Sequence, residues 1–348
     1  LAVLSAMREA GDAHITVKGG KFLEAVAAAD TIVFDKTGTL THACPKVAKI
    51  IPFGGRDERE MLRVAACLEE HFPHSMANAV VEEARQQGLT HDEFHSKVEY
   101  LVAHGIASTV NGERVLIGSA HFVFEDEHCQ IPECDQERFD MLPPEYSHLY
   151  LAVGGQLAAV ICISDPLREE AKDVLATLRA LGISNTVMLT GDSHRTAAAI
   201  AAQVGVDDFR SEVLPVDKAD YVAQLRREGH TVLMVGDGIN DSPALSEADA
   251  GIAISDGAAI AREIADITIA ADSLWELVEL RRIAMALMAR IHSNYRFVIG
   301  FNGALIALGM AGIIPPATSA TLHNLSTLGV SLRSMSPLPH QKERKQVL

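Results

Sequence analysis

The sequence predicts an α/β fold: a doubly wound parallel sheet, an inserted α+β domain, and a C-terminal pair of transmembrane helices. Three observations predict it. Short β-branched runs ending in aspartate alternate with helical stretches, the pattern of right-handed β-α-β crossovers. The long stretch between the first such run and the others, residues 42–160, has a different character. Near the end, residues 297–314 form an uncharged run of about the length a bilayer needs.

The first strand is "TIVF" (31–34), which reads as a buried parallel strand closing on Asp35. Three later runs look alike: "LAAVICI" (157–163), "NTVMLTGD" (185–192) and "HTVLMVGDG" (230–238). Helical stretches at 168–182, 194–205 and 217–229 separate the later ones. In open parallel sheets chemistry gathers outside the carboxyl ends of the strands, where Asp35, Asp192 and Asp237 fall. Taken alone, each is also explained by a turn or a cap; Asp192 could cap the helix that starts at 194. In the insertion, residues 58–88 suggest two helices broken near Pro73, and 106–119 a hairpin turning at Asn111–Gly112.

At 348 residues, 48% hydrophobic and 22% charged, the chain can bury the cores of two or three domains. A formal net charge of −16 weighs against nucleic acid as a partner. Five cysteines without a CxxC pair fit a reducing cytosol. Cys129 and Cys134 lie near His121 and His128; reduced loop cysteines are a better reading there than a small metal site. The chain opens "LAVLSAMREAG" at Leu1 and reads as a piece of a longer protein.

After the uncharged run, "PP" (315–316) makes a turn and residues 317–332 return without a charge, His323 counted as neutral. Arg281, Arg282, Arg290 and Arg296 flank one end of this pair; Arg333, Lys342, Arg344 and Lys345 flank the other. Excess cationic residues mark the cytoplasmic side, so both ends are expected there; the bland alternative is a buried helical hairpin.

A carboxylate at a strand end can attack a phosphoryl group if a magnesium ion screens charge and a lysine holds the transferred phosphate. Asp35 in "DKTGTLT" is the candidate nucleophile. Asp237 in "GDGIND" can bring a second carboxylate to the metal, with Asn240 and Asp241 close behind. Lys218 in "LPVDK" begins a helix, and Thr190 in "LTGD" offers a hydroxyl. Many phosphatases on this kind of sheet place an acid/base aspartate two residues after the nucleophile; here that residue is Thr37. Without it, an aspartyl phosphate formed from a good leaving group such as ADP should persist.

Together "DKTGTLT", "TGD" and "GDGINDSPAL" (236–245) resemble a P-type ATPase, which implies a HAD-like phosphorylation domain. Residues 17–41 and the two closing spans are similar to the heavy-metal-transporting branch. The resemblance implies ATP as substrate and Asp35 as the phosphorylated residue. Mg²⁺ would lie between Asp35, the Thr37 carbonyl and Asp237, with Lys218 and Thr190 on the phosphoryl group. Asp165 and Pro166 match the hinge back into the sheet domain. The implied layout is the end of a preceding membrane helix (1–18), the phosphorylation domain (19–41 and 161–290), the nucleotide-binding domain (42–160), two transmembrane helices (291–335) and a cytoplasmic tail (336–348).

Two departures stand out. The branch's histidine–proline pair, which contacts ATP with an upstream glutamate, matches His74 and Glu69, but His74 is followed by Ser75; His71 is a competing candidate. The family's GxG reads "AHG", with Ala103 in first place and Gly105 in last. In the membrane part Asn302, His323, Asn324 and Thr327 are polar where polarity is costly, which marks candidate ligands for the transported ion. Helix-to-helix hydrogen bonding is the alternative. His323 stands where copper-exporting relatives have methionine, and imidazole with oxygen suits a divalent transition metal (Mn, Fe, Co, Ni or Zn) better than Cu⁺.

The expectation is therefore the catalytic portion of a multi-pass metal efflux pump of the plasma membrane. Its partners are ATP, the metal ion, the bilayer and the missing earlier spans and actuator segment. No TGE sequence, the actuator's mark, occurs in the chain. The alternatives are a stand-alone phosphohydrolase and a non-catalytic nucleotide-binding fragment.

Overall fold

The structure, a computed structural model, describes residues 1–338 except 43, 71–74, 90–98, 102–104, 111, 238–240, 255–262 and 271–272. The chain divides into two compact units, the first formed by residues 1–34, 170–186 and 218–348, the second by 35–169 and 187–217.

In chain order the elements begin with α1 (Ala2–Asp12), β1 (Ile15–Val17), α2 (Gly20–Ala28), β2 (Thr31–Asp35), β3 (Lys46–Pro52), α3 (Glu58–Glu69) and α4 (Ser75–Gln86). There follow β4 (Glu99–Leu101), β5 (Gly105–Val110), β6 (Glu113–Gly118), α5 (Gln136–Asp140), β7 (Ser147–Val153) and β8 (Gln156–Ser164). Next come α6 (Ala171–Ala180), β9 (Asn185–Leu189), α7 (His194–Val204), β10 (Asp208–Arg210), α8 (Pro215–Arg227) and β11 (Val232–Gly236). The chain continues with α9 (Ser242–Glu247), β12 (Ala250–Ile254), β13 (Ile267–Ile269), α10 (Trp275–Met310) and α11 (Pro316–Met335).

In the first unit the strands stand in the order β1, β13, β12, β11, β2. All pairs are parallel except the edge pair β1–β13. Every residue of β2, β11 and β12 is buried, which is why these strands read as unbroken apolar runs. Register sets Phe34 beside Val235.

The second unit carries β9 and β10 in parallel and a six-stranded antiparallel sheet in the order β3, β8, β7, β6, β5, β4. The expected hairpin is present as β5–β6, with Gly112 at φ 84°. The two expected helices are α3 and α4. They pack over one sheet face around Leu62, Val80, Leu151 and Ile161. The other face buries Phe122, Leu142, Tyr150 and Cys162.

This double burial corrects one expectation. Residues 157–163 lie in β8, hydrogen-bonded antiparallel to β3 and β7, not in the parallel sheet. A strand covered on both faces loses its polar alternation, so its pattern matches that of a parallel strand. The alternative reading of Asp192 as a helix cap does not hold: Ser193 caps α7 by accepting the Thr196 backbone N–H.

The C-terminal pair needs the larger correction. Two helices occur where expected, but among the described residues no helix is long and apolar enough to cross a membrane. α10 stops at Met310 and the chain turns at Gly312, φ 69°, so the run 297–314 is not one helix. From Phe297 to Met310 the helix rises only about 21 Å, against about 30 Å of hydrocarbon. α11 carries Thr, Ser, His and Asn along its length. Two of the flanking arginines are also interior. Arg281, 5% exposed, donates to the carbonyls of Val26 and Leu181, and Arg290 to those of Ser336 and Pro337.

Candidate active site

Asp35 ends β2 and is 6% exposed. The backbone then turns through residues 36–40, with Gly38 at φ 75°, a conformation that favours glycine. The Gly38 N–H donates to Thr41 Oγ1 at 3.0 Å, and Thr41 Oγ1 donates to Asp165 Oδ2 at 2.6 Å. Residues 38–42 and 165–168 are tied together. The His42 N–H donates to the Pro166 carbonyl, the Arg168 N–H to that of Leu40 and Arg168 Nε to that of Thr39.

Lys36 is buried, and its ammonium lies 2.7 Å from Asp192 Oδ2. It also donates to Ser147 Oγ at 3.2 Å, while Ser147 Oγ donates to Asp192 Oδ1 at 2.7 Å. Thr190 Oγ1 donates to Asp192 Oδ2 at 2.9 Å. Burial alone would push the Asp192 carboxyl up. The Lys36 charge and hydrogen bonds from Lys36, Ser147 and Thr190 outweigh it and hold the carboxyl below its usual value.

These groups line a cleft of about 660 Å³ in the second unit, together with Thr37, His148, Asp165 and Glu212. Burial raises the Asp165 carboxyl above its ordinary value, against hydrogen bonding from Thr41 and the Lys36 charge. His148 is held below its ordinary value, chiefly by burial, although it donates to the Pro143 carbonyl. Its Nε2 has no hydrogen-bond partner among the described residues.

In the first unit Lys218 Nζ donates to Asp241 Oδ1 at 2.8 Å, with both side chains buried. Asp241 Oδ2 packs so closely on Gly236 that a Cβ there would come within 2.6 Å of it. Asp237 follows β11 and is half-buried.

The cleft thus gathers Thr37 and Thr190 among the expected residues, and the first unit pairs Lys218 with Asp241. Asn240, His74 and the competing His71 lie outside the described residues. Glu69 is buried at the end of α3 and does not line the cleft. Nor does Gly105, which packs against Phe122 and the Ile117 carbonyl. Of the expected transport ligands, His323 Nδ1 and Asn302 Oδ1 are hydrogen-bonded at 2.9 Å, while Thr327 Oγ1 donates to the His323 carbonyl. Asn324 is exposed. Among the described residues no cluster of His, Cys, Asp or Glu is arranged to hold a metal, and Cys129 and Cys134 are free thiols.

Sequence reasoning gave no role to Lys36 and overlooked Ser147. The readable signal was a lysine placed directly after a buried strand, where an ammonium needs a partner.

The chain belongs to the haloacid dehalogenase-like hydrolase family, whose model matches residues 29–249. A finer likeness covers almost all of it. It is 37% identical to a zinc-exporting P-type ATPase of Mycobacterium marinum, over 98% of this chain and 47% of that protein. It is 36% identical to a manganese-exporting P-type ATPase of Mycobacterium leprae, over 96% of this chain and 46% of that one. The crystal structure of a zinc-transporting PIB-type ATPase in its E2.Pi state matches 96% of this chain and 54% of that chain, with TM-score 0.68 and 32% identity. The chain spans about half the length of the pumps it matches.

Proposed function

We propose that this chain is the catalytic portion of an ATP-driven transition-metal export pump working through an aspartyl phosphate. The observation that carries the reading is Thr37 in the cleft two residues after Asp35. A threonine there can neither protonate a leaving group nor activate water, so a phosphoryl group accepted by Asp35 is kept. A carboxylate oxygen of Asp35 attacks the γ-phosphorus of ATP; the new O–P bond forms as the bond to the β-phosphate oxygen breaks, and ADP leaves with the electron pair. Lys218 and Thr190 hold the transferring group, and Asn240 and Asp241 support them. The carboxylates of Asp35 and Asp237 with the Thr37 carbonyl offer the hard oxygens that suit Mg²⁺, which when bound would screen the phosphate charge. Glu69, His74 and Gly105 are the nucleotide-binding residues on this reading.

The transported ion on this reading is a divalent transition metal met by His323, Asn302, Asn324 and Thr327, a set of imidazole and oxygen. Its relatives include zinc and manganese exporters, and also a copper exporter of Bacillus subtilis. The α10–α11 hairpin belongs to the membrane part of a longer plasma-membrane protein, which it meets through exposed apolar residues such as Phe297, Ile299, Ile306, Leu325 and Leu328. The phosphorylation and nucleotide domains face the cytoplasm.

The test is incubation with γ-labelled ATP and Mg²⁺. Acid-stable, hydroxylamine-sensitive label is expected on the wild type and none on Asp35→Asn. Rapid phosphate release without trapped label would instead favour a stand-alone phosphohydrolase, and nucleotide binding without label a non-catalytic fragment. In the longer pump, Zn²⁺ or Mn²⁺ should stimulate labelling; stimulation by Cu⁺ alone would overturn the divalent assignment.

A further inference from the structure

We infer that Ser147 is a positioning residue for phosphoryl transfer: its hydroxyl clasps Lys36 to Asp192 and so fixes the loop that carries Asp35. The inference rests on the aspartyl-phosphate reading above.

The argument begins with Lys36. Its ammonium sits on a flexible four-carbon stem directly after the attacking residue, and any freedom there is passed to the turn at 36–40. The ammonium is buried, so it needs acceptors. Asp192 supplies one at 2.7 Å and Ser147 Oγ a second at 3.2 Å. Two acceptors from two chain segments define one position where a single ion pair would allow several. Ser147 can do this because a hydroxyl accepts and donates at once. It takes a hydrogen bond from Lys36 and gives one to Asp192 Oδ1 at 2.7 Å, closing a triangle of three side chains.

The triangle is held by fixed backbone. Ser147 opens β7 and pairs with Ile163 of β8, two residues before Asp165. The carbonyl of the preceding residue, Tyr146, accepts from Thr196 Oγ1 at 3.1 Å, so α7 grips the start of β7 beside the Asp192 loop. Arg195 of the same helix donates to the Asp140 carbonyl at 3.0 Å. Ser147 is 6% exposed, so water does not readily replace its hydroxyl. Alanine would leave Lys36 and Asp192 each one hydrogen bond short in a buried setting. Threonine keeps the hydroxyl and suits a strand.

The test compares wild type, Ser147→Ala and Ser147→Thr in two measurements on the chain. In the first, γ-labelled ATP with Mg²⁺ gives the rate of label incorporation at saturating ATP and the ATP concentration for half the maximal rate. Ser147→Ala should slow the saturated rate about tenfold with half-saturation shifted less than about twofold; Ser147→Thr should recover most of the rate. In the second, amide hydrogen exchange should show residues 36–41 losing about tenfold in protection in Ser147→Ala, with β11 unchanged and Ser147→Thr restored. If the wild type takes no label, the aspartyl-phosphate reading fails and the role in phosphoryl transfer falls with it, while exchange still tells whether the clasp holds the loop. If the wild type labels and Ser147→Ala matches it in rate, the inference is overturned. A raised half-saturation with unchanged rate, or failure of threonine to rescue, also overturns it.

Discussion

Lys36 Nζ and Asp192 Oδ2 lie 2.7 Å apart with side chains only 6% and 12% exposed, joining the residue after Asp35 to the loop that follows β9. Removing either charge from water costs several kcal/mol, and their attraction offsets this only where geometry and added hydrogen bonds are good. Both conditions hold, because Ser147 and Thr190 also donate to the carboxylate. The pair therefore holds the Lys36–Asp192 geometry more than it adds net stability.

Its coupling is measurable. Lys36→Met strands a buried carboxylate, and Asp192→Leu strands a buried ammonium; each should lower unfolding free energy by about 3–5 kcal/mol. The double substitution removes both charges and should lie closer to wild type than either single one. Urea denaturation of all four proteins measures the cycle, and additive losses would mean that the two residues are not coupled.

How much of this was legible depends on the range of the interaction. β2 and β11 were readable because buried parallel strands are written as continuous apolar runs ending in a turn. β8 carries the same run but sits in the antiparallel sheet, since burial on both faces erases the distinction. The Lys36–Ser147–Asp192 triangle joins three segments far apart in sequence, and no local pattern encodes which hydroxyl meets which charge. The end of α10 at Met310 was hidden because hydropathy continues to Ile314 while the backbone turns at Gly312.

His148 should give the molecule an acid-sensitive step. Burial, the largest cause, lowers its folded value below about 6.5, the unfolded one. As pH falls below about 6.5 the unfolded chain takes up the proton first, so stability drops until the folded value is reached and then levels. His148→Phe should flatten this part of a melting-temperature profile. An unchanged slope just below about pH 6.5 would assign the acid sensitivity elsewhere.

Asp165 has the opposite sign. Burial raises its folded value above about 3.9, so its charged form costs stability at neutral pH and protonation relieves that cost as pH falls through the folded value. Asp165→Asn keeps an oxygen to accept from Thr41 Oγ1 and removes the charge. The variant should melt higher than wild type at pH 7, with the gain vanishing as pH falls below about 3.9. A loss at pH 7 would mean that attraction from Lys36 outweighs burial.

Gly105 offers a direct test of why a glycine stands in the "AHG" stretch. A Cβ there would lie 2.4 Å from Phe122 Cδ1 and 2.6 Å from the Ile117 carbonyl oxygen. The ring can shift, but the carbonyl is fixed by the pairing of β5 with β6. Gly105→Ala should therefore destabilise the antiparallel sheet by about 1–3 kcal/mol. Adding Phe122→Leu should recover only part of the loss, because the carbonyl contact remains. Denaturation of the single and double variants, with ATP affinity measured on each, separates packing from nucleotide approach. Loss of affinity without loss of stability would return Gly105 to the nucleotide site; loss of stability with affinity kept at temperatures well below melting would make it a packing residue.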